Sequence, residues 1–247
     1  ILPLFNQLLS CRRMQNIAVI LAGGSGKRAG GDMPKQFFKI ADKTILEYSL
    51  EKFENNSLID EIVVVGNPAY LEDIRQILHV RPLSKVKHIL PGGQERYHSV
   101  LAALEIYKNT PCHLLIHDAV RPLVSQRIID EVIRNLQTCK AVNVAIPVTD
   151  TIIEVDPAKA VITGIPDRNR LYRVQTPQGF DAQTLYNAYS KALDDPAFTT
   201  TDDCSVIRKY APGEKIKIVK GENTNIKLTY PEDLFLLEHL LNKEKLL

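Results

Sequence analysis

The chain has 247 residues, 45% of them hydrophobic and 24% charged, with a formal net charge of +2. That is enough for one large α/β domain with a full core, and no second core is demanded. No basic run approaches a polybasic patch, which excludes nucleic acid and an anionic membrane surface as partners; any phosphate binding must come from local clusters.

Cys11, Cys112, Cys139 and Cys204 are widely spaced and form no C-x-x-C motif, which fits a reduced, cytoplasmic compartment. The apolar start Ile1-Leu2-Pro3-Leu4-Phe5 precedes the basic pair Arg12-Arg13, the reverse of a secretory signal, and no stretch is long enough to span a membrane. Because Met14 precedes the first strand, residues 1–13 read as an upstream extension and 14–247 as one domain.

From residue 17 to about 147, strand-like and helix-like segments alternate, predicting right-handed βαβ units and a mostly parallel sheet. Strands are expected at 17–21, 62–65, 86–90, 114–116 and 141–146. Helices are expected at 45–53, 71–78, 99–107 and 128–136. After Pro147 the β-branched runs Thr151–Val155 and Ala160–Thr163 leave no room for a crossover helix, so 148–174 reads as a hairpin or extended arm. The main domain then resumes near Val174, with helices at 182–193 and 203–210 and a strand at 216–219. A last helix starts at Pro231, capped by Thr229 or Tyr230.

Chemistry concentrates at the strand ends. The apolar run Ile17–Leu21 leads into Ala22-Gly23-Gly24-Ser25-Gly26-Lys27-Arg28, closing with Met33-Pro34-Lys35-Gln36-Phe37. Glycines there let backbone N–H groups turn toward an anion, and Lys27, Arg28 and Lys35 supply positive charge. A dinucleotide fingerprint should open a long helix at once, against Gly30, Gly31 and Pro34. A Walker loop needs glycine where Leu21 stands and Ser or Thr where Arg28 stands. Asp118 follows Leu114-Leu115-Ile116 and should stand at the carboxyl end of a parallel strand, where one carboxylate and substrate phosphates hold Mg²⁺; the plainer alternatives are a helix cap or an Asp118–Arg121 surface pair. Gln175-Thr176-Pro177-Gln178 and Thr199-Thr200-Thr201-Asp202-Asp203 read singly as turn and capping chemistry. Lys227, between Ile226 and Leu228 in a strand-like segment, reads equally as an outward strand residue.

Together these motifs carry a resemblance. The glycine loop with Pro34-Lys35-Gln36, Gly92-Gly93-Gln94-Glu95-Arg96 with Ser99-Val100, His117-Asp118-Ala119-Val120-Arg121-Pro122, Asp150-Thr151, Gln175-Thr176-Pro177-Gln178, Thr201-Asp202-Asp203 and Asn225-Ile226-Lys227 occur in the order and approximate spacing of the IspD-type cytidylyltransferases. The match covers about residues 16–242. The family includes 2-C-methyl-D-erythritol 4-phosphate cytidylyltransferases and ribitol-5-phosphate cytidylyltransferases. The resemblance implies a Rossmann-like sheet, a β-arm exchanged between the subunits of a homodimer, and transfer of a cytidylyl group from CTP to a polyol phosphate with release of pyrophosphate. It assigns Arg28, Lys35 and Lys227 to the α-phosphate and departing pyrophosphate, and Asp118 to Mg²⁺. Ala22, Gly23, Gly24, Gly26, Gly93, Gln94 and Ser99 would hold the nucleotide. Arg121, Thr151, Arg168, Thr176 and Thr201 would surround the polyol phosphate, with Thr151 and Arg168 coming from the partner's arm.

An ionised phosphate monoester needs no strong general base to attack phosphorus, so alignment and charge neutralisation suffice, and His117 reads as structural. Ala29 stands where many relatives have Met. Ala119 and Thr201-Asp202-Asp203 favour methylerythritol phosphate, whereas Val120, Tyr172 and Cys204 lean toward ribitol phosphate. Two other classes remain: a nucleotide-binding regulatory protein, and an NAD(P)-dependent oxidoreductase resting only on glycine spacing.

Overall fold

The computed structural model describes residues 13–24 and 33–244. The expectations for Gly26, Lys27, Arg28 and Ala29, and for the extension before Arg13, lie outside the described residues.

The first strand, β1 (Gln15–Ala22), is buried along nearly its whole length. Its side chains divide between two cores. Ala18, Ile20 and Ala22 face the core that holds Leu50, Phe53, Ile74 and Ile128, while Ile17 and Val19 face Val100, Leu104 and Leu185. An unbroken apolar run is what a strand covered by helices on both faces requires, and each of its isoleucines and valines contributes about 1.5–3 kcal/mol on burial. A short hairpin, β2 (Lys39–Ile40) and β3 (Lys43–Thr44), intervenes before α1 (Ile45–Glu54). The helix starts on a reciprocal Thr44–Glu47 cap. There follow β4 (Glu61–Gly66), α2 (Leu71–Val80), β5 (Val86–Pro91), α3 (Arg96–Tyr107), β6 (Cys112–Asp118), α4 (Gln126–Leu136) and β7 (Ala141–Pro147).

The predicted hairpin is present but shorter: β8 (Glu154–Asp156) pairs antiparallel with β9 (Val161–Gly164) as a separate two-stranded sheet. The chain returns in β10 (Tyr172–Asp181), followed by α5 (Ala182–Leu193), α6 (Asp203–Tyr210), β11 (Ile216–Lys220) and α7 (Glu232–Glu244). The last helix begins one residue later than expected, and its cap runs backward: the Asp233 carboxylate accepts the N–H groups of Thr229 and Tyr230.

Seven strands form one sheet in the order β11-β7-β10-β6-β1-β4-β5. All neighbours are parallel except β10, which runs antiparallel to both β6 and β7. This strand corrects the sequence reading, in which Gln175–Gln178 forms a turn. Proline is normally kept out of a central strand because it cannot donate to the ladder, but here the register with β7 shifts between Gln175 and Gly179, and Pro177 falls in that break. Leu21 pairs with Asp118 and Ala22 with Gly66, so the carboxyl ends of β1, β4 and β6 lie level and form one rim. Ligands of open α/β sheets bind at such a rim.

Candidate active site

A cleft of about 690 Å³ opens at this rim, lined among others by Gly23, Gly24, Lys35, Gly93, Gln94, Ser99, Asp118 and Lys227. Residues from four separate stretches of the sequence therefore meet on one concavity. Their close approach depends on glycine. A Cβ at Gly92 would come within 2.5 Å of Ser99 Oγ, and one at Gly93 within 2.5 Å of His98 Cβ, so the loop after β5 lies directly against the start of α3. Gln36 fixes the other wall, its side-chain amide donating to the carbonyls of Ala22 (2.8 Å) and Gly24 (3.0 Å).

Asp118 sits among three cations. Its Oδ2 accepts from Lys227 Nζ at 2.8 Å, Arg121 Nε lies 3.6 Å from the same oxygen, and Arg96 Nε lies 3.6 Å from Oδ1. Burial pushes the carboxyl up, but the charges of Lys227, Arg96 and Arg121 outweigh it and hold Asp118 well below the usual carboxylate range. It is ionised at neutral pH. The plainer readings therefore fail: Asp118 is a nearly buried member of a charge cluster rather than a cap or a surface pair. Lys227 is likewise not an outward strand residue, since residues 225–228 are in no strand. A chain of contacts joins both lysines to the cluster: Lys35 Nζ donates to the Thr229 carbonyl, Thr229 Oγ1 to the Lys227 carbonyl, and Lys227 Nζ to Asp118.

Arg96 is the residue that sequence reasoning missed. It stands at the first turn of α3, where Glu95 and His98 cap each other. Placing the helix start at Ser99 hid that position, although the Gly92–Arg96 motif contained it. Its Nη1 donates to the fully buried Asp203 at 2.6 Å, and Asp203 also accepts from Tyr189 Oη at 2.6 Å.

The structure does not gather all the residues assigned to the polyol phosphate. Arg121 is half-buried beside Asp118 and does not line the cleft; its Nη1 donates to the Asn225 carbonyl at 2.8 Å, and its Nε faces Asp118 Oδ2 at 3.6 Å without a hydrogen-bond partner among the described residues. Thr176 is buried and turned inward, accepting the Asp118 N–H at 3.1 Å. Thr151 and Arg168 are exposed on the arm, with Arg168 Nη1 donating to the Thr149 carbonyl. Thr201 is exposed ahead of Asp202, which caps α6. None of the last three lines the cleft of its own chain.

His117 is completely buried, and burial, opposed by the Asp118 charge, takes its imidazole down to about 4. It is neutral at pH 7 and has no access to the cleft, in keeping with a structural role. His113 is also lowered, chiefly by burial. Below about pH 6.5 the unfolded chain takes up protons that the folded chain refuses. Stability is therefore expected to fall as pH drops from about 6.5 to about 4, with His117 accounting for at most about 3 kcal/mol. Urea unfolding across that range should show a shallower loss for His117→Gln than for the wild type. Equal slopes would show that His117 is not a source of the loss.

The IspD family profile, described as 2-C-methyl-D-erythritol 4-phosphate cytidylyltransferase, matches residues 16–243. The chain belongs to the IspD family. A 2-C-methyl-D-erythritol 4-phosphate cytidylyltransferase of Thermobifida fusca is 44% identical over 235 residues, covering 93% of this chain and 94% of that protein. A bifunctional ribulose 5-phosphate reductase/CDP-ribitol pyrophosphorylase of Haemophilus influenzae is also 44% identical, over 228 residues, covering 92% of this chain and 48% of that one. Among solved structures, the 4-diphosphocytidyl-2C-methyl-D-erythritol synthase of Anaerococcus prevotii superposes with a TM-score of 0.81 at 30% identity, covering 93% of this chain and 96% of that one. Membership makes the chain a nucleotidyltransferase of the cytidylyltransferase class, and the mostly parallel sheet flanked by helices is the fold expected from the IspD resemblance. No helix of the described residues is long and apolar enough to cross a membrane.

Proposed function

We propose that the chain transfers a cytidylyl group from CTP to 2-C-methyl-D-erythritol 4-phosphate, releasing pyrophosphate, in the cytoplasm. The observation that carries this reading is the convergence of Lys35, Lys227 and Asp118 on a cleft walled by glycine backbone at a sheet rim, in a chain that covers 94% of the Thermobifida relative and 96% of the Anaerococcus structure.

The donor set fits Mg²⁺. Asp118 presents one ionised carboxylate whose Oδ1 is 3.6 Å from Arg96 Nε, beyond hydrogen-bond reach, and Mg²⁺ is commonly held by one or two carboxylates plus substrate phosphates. Bound there, the ion supplies charge neutralisation to the triphosphate. Lys35 and Lys227 neutralise the phosphate oxygens, with Arg28 assigned to the same task. Backbone at Ala22, Gly23, Gly24, Gly26 and Gly93, with Gln94 and Ser99, holds the nucleotide. An oxygen of the substrate's phosphate monoester, mostly ionised near neutrality, forms a bond to the α-phosphorus as the bond to the β-phosphate oxygen breaks and pyrophosphate leaves. The resemblance assigns Arg121 and Thr201 to the polyol phosphate; Arg121 would act there from beside Asp118, with which its guanidinium is ion-paired. No side-chain base is required.

The arm supports a homodimer. Its base is closed by Val148 N–H on the Leu171 carbonyl, so the projecting part is 148–171, slightly shorter than expected. It exposes Ile152, Ile153, Val155, Val161, Ile162 and Ile165, more apolar surface than a two-stranded sheet keeps in water without a partner. Pairing with a second copy covers these residues and carries Thr151 and Arg168 to the partner's cleft. Deleting 149–170 is expected to yield monomers with turnover lowered about 100-fold or more, read by light scattering and pyrophosphate release. A fully active monomeric wild type at micromolar concentration would contradict the shared site.

Substrate choice is tested by side-by-side kinetics with CTP and either 2-C-methyl-D-erythritol 4-phosphate or D-ribitol 5-phosphate. A pocket that hydrogen-bonds hydroxyls rejects the wrong polyol by leaving buried polar groups unpaired, so one kcat/KM should exceed the other clearly. The methylerythritol substrate is expected to win. A higher value for ribitol 5-phosphate, favoured by Val120, Tyr172, Cys204 and the Haemophilus relative, would reverse the substrate and leave cytidylyl transfer standing.

A further inference from the structure

The turn that carries Asp118 and Arg121 has its backbone tied down along its length. Asp118 N–H donates to Thr176 Oγ1 (3.1 Å), and Arg121 N–H donates back to the Asp118 carbonyl (3.0 Å). Ala119 N–H donates to the Leu21 carbonyl (3.0 Å), the Ala119 carbonyl accepts from Ser49 Oγ (2.6 Å), and the Val120 carbonyl accepts from Leu228 N–H (2.9 Å). The remaining end, the Arg121 carbonyl, meets His117 Nε2 at 3.1 Å.

His117 touches both ends of this turn. Its Nδ1 lies 3.0 Å from Thr176 Oγ1, the hydroxyl that accepts the Asp118 N–H, and its ring packs 5.0 Å from that of Phe53. A carbonyl only accepts, so Nε2 carries the hydrogen and Nδ1 keeps its lone pair. The Thr176 hydroxyl, already accepting from Asp118, must then donate to Nδ1. The network has one consistent set of hydrogen positions, running from the Asp118 amide through Thr176 and His117 to the Arg121 carbonyl.

We propose that His117, in its Nε2–H tautomer, is a positioning residue for the transfer reaction, acting with Thr176 as a clamp that fixes the Asp118 carboxylate against the cleft and the Arg121 guanidinium beside it. Its effect on turnover rests on the cytidylyl-transfer reading; the clamp itself does not. Thr176, expected from the resemblance to contact the polyol phosphate, acts here from behind the site.

The test uses the full chain. His117→Phe keeps a ring beside Phe53 and removes both hydrogen bonds, whereas His117→Gln restores a donor toward the Arg121 carbonyl. Supporting groups of this kind change activity about 10–100-fold. His117→Phe is expected to lower kcat by that factor with KM for CTP changed less than about threefold, His117→Gln to recover most of the loss, and His117→Phe/Thr176→Val to be little worse than the poorer single variant. Hydrogen exchange at the Asp118 amide should quicken in His117→Phe while amides of the β1 core stay protected. A kcat for His117→Phe within about twofold of wild type, equal losses for Phe and Gln, additive losses in the double variant, or an unchanged Asp118 amide would each overturn the clamp. Should His117→Phe not fold, Thr176→Val cuts the same clamp, and the same amide and kcat readouts decide. Amide exchange needs no substrate, so a wild type that shows the clamp but releases no pyrophosphate would refute the transfer reading alone.

Discussion

Asp118→Asn is expected to lower kcat for pyrophosphate release about 100-fold or more at saturating CTP and Mg²⁺. The substitution keeps shape but turns one acceptor oxygen into an N–H donor and removes the negative charge that Arg96, Arg121 and Lys227 share, leaving Asp203 as the carboxylate beside Arg96. Two consequences follow. The proposed metal loses its protein carboxylate, and Lys227, whose 2.8 Å ion pair is reduced at most to a contact with a neutral carbonyl, is held less firmly over the cleft. The three cations also repel one another without the intervening carboxylate, so a lower melting temperature should accompany the loss. The variant should nonetheless fold, because Asp118 belongs to none of the hydrophobic clusters. Turnover near wild type in folded Asp118→Asn would remove Asp118 from the mechanism.

Lys35→Ala is expected to cost a similar factor, about 100-fold or more in kcat, with a smaller effect on stability. Lys35 is buried at the cleft wall and donates to the Thr229 carbonyl, two residues from Lys227. Its charge is thus held beside the second lysine, where a triphosphate brings several negative oxygens together. Charge that develops on departing pyrophosphate is stabilised most by groups already in place. Lys35→Arg should restore part of the rate by returning the charge with altered reach. Equal activity for Lys35→Ala and wild type would show that this charge is not used in the rate-limiting step.

Much of this architecture was readable from local patterns. The unbroken run Ile17–Leu21 announced a strand covered on both faces, and Leu114–Ile116 followed by His117-Asp118 placed a carboxylate at a strand end; both are one-dimensional signals of two-sided burial. What was not legible depends on long-range contacts. Gln175-Thr176-Pro177-Gln178 read as a turn because only the partner strand reveals that the register breaks there. Lys227 and Asp118 are 109 positions apart, and nothing beside Lys227 shows that it turns toward the cleft rather than outward. Thr176 looked like a turn or substrate residue because a hydroxyl's direction is set by the neighbour it bonds, here His117. Arg96 was hidden by a helix start resting on a Glu95–His98 cap, which lacks the usual Ser, Thr, Asp or Asn. The β-branched arm was legible as a hairpin, since its two short runs leave no room for a crossover helix between them.

The central claim, transfer of the cytidylyl group to 2-C-methyl-D-erythritol 4-phosphate, is tested most directly by following the α-phosphate of CTP labelled with ³²P. With Mg²⁺ and the polyol phosphate present, the label should move into a CDP-linked polyol in step with pyrophosphate release, and neither product should form when the polyol phosphate is left out. Label recovered only as CTP, or as CMP regardless of the polyol phosphate, would contradict the account.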